Sequence, residues 1–320
     1  MIVPFEDAFV EQAADLLAAT HTTGALDLAD VGVARRLVAR WHGSGPAVAA
    51  VRDGALTGFM AAGPPRTPGE RRARVHLPQH ACARRPDRRA TYRSLYAALA
   101  ARLAGIGAYE HTLAVPVDDH ETVSCFFELG FGVDRIRGFR PVTRAQAPAP
   151  PPRGTRLRTA TAGDLDGMFA LAVELQRFHT APPVLRPVPP DLRPIRERLW
   201  TALAEDGQLL LVAEEYGRLT GLIQAAPDGH RLGAATIGIA AVTARSRSAG
   251  VGTALVRAVE EWAAGCGFDA YGTEWSSANQ IGDAFWRGLG MVPAQYTLAR
   301  LIDSRVAWAD ARLSQGRTAP

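Results

Sequence analysis

The stretch "VTARSRSAGVGTALVRAVEEW" (Val242 to Trp262) holds the residues whose types and spacing best suit chemistry. Arg247, Gly250 and Gly252 fall in "RSAGVG", directly before a run with helical apolar spacing. Glycines there let the main chain bend without Cβ clashes and leave successive N–H groups pointing outwards. A helix start adds unpaired donors and positive dipole potential. A pyrophosphate fits such a loop, with Ser248, Ala249, Gly250, Val251, Gly252 and Thr253 supplying main chain and Arg247 supplying charge. Taken alone, RxxGxG is equally a turn that starts a helix, so its meaning depends on the flanking elements. Further on, Asn279 stands at the start of a second helical run, where its side chain is suited to capping.

Those elements supply the context. "AATIGIAAV" (Ala234 to Val242) is a small, apolar run of strand length. After the loop, Ala254, Leu255, Ala258, Val259 and Trp262 form one apolar helical stripe, and "GCGFDAYGTEW" ends that helix and starts another strand. Strand, glycine loop, helix and strand in this order predict two parallel strands with a right-handed crossover. A helix over Asn279 to Leu289 and a last strand in "AQYTLARLI" follow.

The chain tells this story twice. "PAVAAVRDGALTGFMAAG" and "QLLLVAEEYGRLTGLIQAAP" both read as hairpins, and "CFFELGFG" near the end of one half answers "AFWRGLGM" near the end of the other. The four prolines of "QAPAPPPRG" (Gln146 to Gly154) predict an extended connector. The expected organisation is a duplicated fold: 1–145, a linker 146–154, 155–305 and a tail 306–320.

Composition narrows the function classes. With 320 residues, 47% hydrophobic and 21% charged, the chain reads as soluble and globular. Cys82, Cys125 and Cys266 are an odd, widely spaced set that argues against a disulfide framework or a zinc site, so no metal is expected and a reducing cytoplasm is. Neither a membrane span nor a secretory leader is read. The formal charge is +4, and every basic side chain is arginine. The densest cluster, Arg71 to Arg93, lacks an aromatic platform or a zinc pattern, so a solvated loop or a rim for an anionic ligand is expected rather than a nucleic-acid surface.

At the loop residues the chain resembles the GCN5-related N-acetyltransferases, the GNAT superfamily. "VTARSRSAGVG" overlays that family's V-x-P-x-x-R-G-x-G-x-G without a gap, with Ala244 for the usual proline and Ser248 for a glycine. A second motif, "EWSSANQIGDAFWRGLGM", matches at Glu274, Asn279 and Gly290, and roughly at Met291. The first half resembles the family only in element order and in "FFELGFG"; its counterpart loop, in "HACARRPDRRATYRSLY", has no glycine. The resemblance implies an α/β (α+β mixed) fold of two tandem GNAT-like domains. Each would have a mixed, mostly antiparallel twisted sheet flanked by helices, with a splayed parallel strand pair at its centre, and the first would be degenerate.

It also implies direct transfer of an acetyl group from acetyl-CoA to an amine. Pantetheine would lie along Ala240, Ala241 and Val242, with the Val242 N–H on the thioester carbonyl. Glu274, at the family's spacing before Asn279, would be the base. Asn279 would bond pantetheine, cap its helix, or both. Trp286 stands at the family's coenzyme-facing tyrosine, so either it only packs or the thiolate leaves without an assigned acid; Tyr271 and Tyr296 are fallback acids. His179 and Trp200 would lie on the acceptor side. The acceptor expected is a small-molecule amine, with no nucleic acid or membrane partner and a homodimer as one option. Protein N-terminal acetylation and a non-catalytic acyl-CoA-binding role stay open beside it.

Overall fold

The computed structural model describes residues 1–20, 30–64, 70–143, 151–229 and 231–309. Linker residues 146–150 and tail residues 310–320 lie outside the described residues. The chain forms two compact units, one of 1–135 with 294–320 and one of 136–293. The linear division of the sequence gives each half its own last strand; the compact units exchange the two.

Unit 1 contains β1 (Ile2–Pro4), α1 (Val10–Thr20), α2 (Val31–Trp41), β2 (Ala47–Arg52), β3 (Ala55–Ala61), β4 (Arg72–Val75), β5 (His80–Cys82), α3 (Arg88–Gly105), β6 (Glu110–Pro116) and α4 (His120–Glu128). The chain then enters β7 (Gly132–Pro141), which belongs to unit 2 from Ile136 onward. Unit 2 continues with β8 (Thr155–Thr159), α5 (Leu165–Thr180), α6 (Arg193–Ala204), β9 (Leu209–Glu215), β10 (Arg218–Pro227), β11 (Ala234–Val242), α7 (Val251–Gly265), β12 (Ala270–Ser276) and α8 (Gln280–Gly288). The last strand, β13 (Val292–Leu301), returns to unit 1 from Ala294 and pairs antiparallel with β6.

The predicted hairpins form, and their turns explain the residues chosen. Asp53–Gly54 and Tyr216–Gly217 all have positive φ, as two-residue turns matched to strand twist require. The duplication is closely registered: β6, α4 and β7 each begin 160 residues before β12, α8 and β13. The arginine cluster of 71–93 is not a solvated loop. It folds as β4, β5 and the start of α3, and Arg72, Arg74, Arg88, Arg89 and Arg93 are engaged by Glu110, Glu70, Asp119 and, for the last two, Glu128. A run of positive charge in the sequence is thus spent on local ion pairs.

In unit 2 the sheet order is β7-β12-β11-β10-β9-β8, with β11 and β12 parallel as predicted and β8 to β11 joined antiparallel. One face is covered by α5 and α6, whose Met168, Leu171, Ile195 and Leu199 pack on Leu210, Val212, Leu222 and Ala241. The other carries α7: a Cβ on Gly221 would lie 2.9 Å from Leu255 and 3.2 Å from Val251. Burying the α7 stripe of Val251, Ala254, Leu255, Val259 and Ala263 fixes the helix against the sheet, at roughly 1.5–3 kcal/mol for each large apolar side chain. That packing aims its N-terminus at the end of β11. No helix among the described residues is long and apolar enough to cross a membrane.

Candidate active site

The site begins where β11 and β12 separate. Their parallel pairing runs from Ala234↔Ala270 to Ile237↔Thr273 and goes no further. The cause is a bulge: on the β10 side the register jumps from Ile237 to Ile239, leaving Gly238 as an extra residue. The Gln224 side chain fills the space beside Gly238: a Cβ there would lie 2.3 Å from Gln224 Oε1, so any larger residue would displace that amide. Thr243 N–H donates to Thr220 O (2.9 Å). The alternation of an antiparallel ladder then turns the main-chain groups of Ala240 and Val242 away from β10, into the opened side. Val242 O uses that freedom, accepting from Arg247 Nε (3.3 Å).

The loop continues through a short 3-10 turn, Ala244–Ser246, to α7. Gly250 is the N-cap, with φ +90° and no side-chain cap bond. By contrast α8 is capped by Asn279, whose side chain accepts Gly282 N–H (2.9 Å). The first N–H groups of α7 are therefore left to an outside acceptor. Ser248 has φ +61°, a left-handed conformation that explains why the family pattern prefers glycine at this position. A Cβ on Gly252 would meet the Phe285 ring at 3.2 Å, so Phe285 closes one wall of this space.

Arg247 is held from α5: its guanidinium lies 4.7 Å from the Phe178 ring centroid and 4.0 Å from Glu174. Glu174 also accepts the Ala244 N–H (2.9 Å), tying the loop to the helix. Glu174 and Phe178 were not singled out in the sequence, and their helical spacing alone carries no signal of a loop four elements away.

Glu274 is the first residue of β12 beyond the paired segment, and its residue is exposed among buried neighbours. Its strand partners Tyr271, Thr273 and Trp275 alternate to the other side, toward α7 and α8. Tyr271 OH donates to Glu260 Oε2 on α7 (3.4 Å), and Trp275 Nε1 donates to Asp283 on α8 (2.9 Å). Tyr271 is fully buried, and burial together with the Glu260 charge pushes its hydroxyl up to about 12, which unfits it as an acid near neutrality. Tyr296 is removed from the site altogether: it pairs with Val115 and packs in the unit 1 core. Trp286 is 7% exposed, with Phe285 edge-on at 4.9 Å. His179 closes the last turn of α5, and Trp200 is exposed on α6. Among the described residues no group of three or more His, Cys, Asp or Glu could hold a metal.

Unit 1 answers each of these features with a filled space. At the same spacing of 160 residues, His80 stands for Ala240, Arg88 for Ser248 and Tyr92 for Gly252. His80 is fully buried; its Nε2 donates to Ala114 O on β6 (2.7 Å) and its Nδ1 accepts from Tyr92 OH (3.1 Å). Arg88 forms a bidentate pair with Asp119 (2.9 and 2.6 Å) beneath the same ring. A side-chain network thus joins β5 to β6 where unit 2 is open.

Comparison with known proteins agrees with this geometry. Residues 173–291 match the acetyltransferase (GNAT) family. No curated protein matches the chain. Among solved structures, a GCN5-related N-acetyltransferase from Sphaerobacter thermophilus is similar at TM-score 0.68 and 16% identity, over 93% of this chain and 94% of that one. A tandem GNAT protein from the clavulanic acid biosynthesis pathway gives 0.62 and 17%, over 93% and 97%. A GNAT-family acetyltransferase from Colwellia psychrerythraea gives 0.57 and 12%, over 95% and 100%. The chain has the fold of these proteins, and the match to the GNAT acetyltransferase family lies within its residues 173–291.

Proposed function

We propose that unit 2 transfers an acetyl group from acetyl-CoA directly to the amine of a small molecule. The observation that carries this reading is the opening of β11 from β12 after Ile237↔Thr273, beside the uncapped start of α7. The donor set fits the coenzyme: uncapped N–H groups and Arg247 for the pyrophosphate, and the outward main chain of Ala240 and Val242 for an extended pantetheine arm. In this reading the Val242 N–H polarises the thioester carbonyl. Glu274, on the wall facing that strand, takes the proton that the attacking amine must lose, directly or through water. The thiolate leaves with a pKa near that of cysteine, about 8.5, so it needs no dedicated acid. Trp286, buried against Phe285, shapes the wall instead.

The test is thermal stabilisation by acetyl-CoA in the intact chain, beside a variant with Gly250→Ala and Gly252→Val together. A shift in the wild type that is lost in the variant is expected. No shift in either would sink the reading, and a shift that survives would place the coenzyme elsewhere.

A further inference from the structure

On one face of the unit 2 sheet lies a cationic cluster used by neither the loop nor the thioester. Val142 N–H donates to Asp269 O (2.9 Å), and a Cβ on Gly272 would lie 2.5 Å from the Phe139 ring. The two contacts step in opposite directions, so β7 runs antiparallel to β12, with Phe139 opposite Gly272 and Arg137 opposite Glu274. Opposed residues share a face, and this is the face away from Tyr271 and α7. Because Gly272 has no side chain, the Phe139 ring lies across the strand at that point. Two guanidinium groups stand over this ring, Arg231 at 4.6 Å and Arg137 at 5.3 Å from its centroid. Arg137 pairs with Asp228, whose side chain is fully buried, and Asp228 also accepts the Arg231 main-chain N–H (3.0 Å). Among the described residues, no carboxylate lies within ion-pair distance of the Arg231 guanidinium. Two cations thus share one ring and one committed carboxylate, which leaves a positive charge at a half-buried position on the Glu274 face.

We propose that this face receives the acceptor, and that the acceptor is an amine that also carries a carboxylate. Arg231 holds the carboxylate, and the amine lies toward Glu274. A guanidinium stacked on an aromatic ring keeps its N–H fork in plane, which suits the two oxygens of a carboxylate. Arg137 is a positioning residue that fixes Phe139 and Asp228 beneath it. The inference rests on the acetyltransferase reading of unit 2. It also gives the first half of the chain a part in recognition, since Arg137 and Phe139 arrive on β7.

The full chain is assayed for acetyl-CoA-dependent acetylation of amino acids, each beside its carboxamide and the matching aminoalkylphosphonate. The carboxylates are expected to be preferred, and the acid-to-amide ratio of kcat/KM to fall about tenfold to a hundredfold in Arg231→Gln, with partial recovery in Arg231→Lys. Because the ratio is compared between proteins, differences in amine basicity cancel. Equal use of acids and amides, a ratio unmoved in Arg231→Gln, or a preference for phosphonates would overturn the assignment. If no amine turns over, stabilisation of the CoA-saturated protein by the same compounds is read instead, and no stabilisation by any amino acid overturns it as well. Loss of the acetyl-CoA shift itself would instead bring down the underlying reading.

Discussion

At the scale of single residues, the division of labour around the opened strands separates binding from chemistry. Glu274 stands on β12, an element apart from the loop and the α7 start, so its amide should bind coenzyme normally and fail in proton transfer. Glu274→Gln is expected to lower kcat about a hundredfold or more while leaving the acetyl-CoA-induced thermal shift in place. Paired thiol-release kinetics and melting curves would show it, and a full-activity variant would return Glu274 to the role of an ordinary strand-end carboxylate. Asn279 supports a different expectation. Its side chain caps α8 through Gly282 N–H, so Asn279→Ala should cost about 1 kcal/mol of stability in urea unfolding. Any further loss of coenzyme affinity beyond that cost would show that the same amide also reaches pantetheine.

At the scale of elements, α5 is the support of the loop, because Glu174 and Phe178 hold Ala244 and Arg247. Its own start is fixed by Asp164, which accepts the Thr161 N–H (2.7 Å) and pairs with Arg158 (2.7 and 2.8 Å). The Arg158 hydrogen bonds hold the Asp164 carboxyl well below the usual carboxylate range. A depressed folded pKa means that the folded state releases this proton more readily than the unfolded chain does. The stabilisation is therefore complete above the ordinary carboxylate pKa and is lost as pH falls below it. Wild type should exceed Asp164→Asn in urea midpoint at pH 7, and the gap should close as pH falls through 4 toward 2. A pH-independent gap would mean that the carboxylate charge is not what fixes the helix start. Much of this element-scale architecture was legible in the sequence: the α7 stripe, the Tyr216–Gly217 turn and the parallel strands around the glycine loop all follow from local periodicity and turn chemistry. Gly238 left a weaker trace, a lone glycine inside an apolar strand, whose meaning depends on Gln224 across the sheet. Glu174, Phe178, Arg137 and Phe139 left none, because their roles arise from contacts that no local pattern encodes.

At the scale of the whole molecule, duplication has produced two unlike copies that complete each other. Where unit 2 has Ala240, Ser248 and Gly252, unit 1 has His80, Arg88 and Tyr92, bonded to one another's surroundings and buried. Titration of the chain with acetyl-CoA should therefore give one site, and two sites would mean that the His80–Tyr92 network yields to ligand. Strand exchange then sets the smallest piece able to work. The strand beside β12 is β7, which the sequence places before the proline linker, because its "GVDRIRGFRP" is no more fitted locally to β6 than to β12. A fragment of 151–320 lacks that strand, and with it Arg137, Phe139 and the Asp228 partner; β12 is left with a bare edge carrying Glu274. A fragment of 132–320 restores all of them. Only the longer fragment is expected to be stabilised by acetyl-CoA, and the shorter one to be insoluble or to show no shift, as exposed edge strands favour association. Equal binding by both would mean that β12 does not need β7 to hold its half of the opened strand pair.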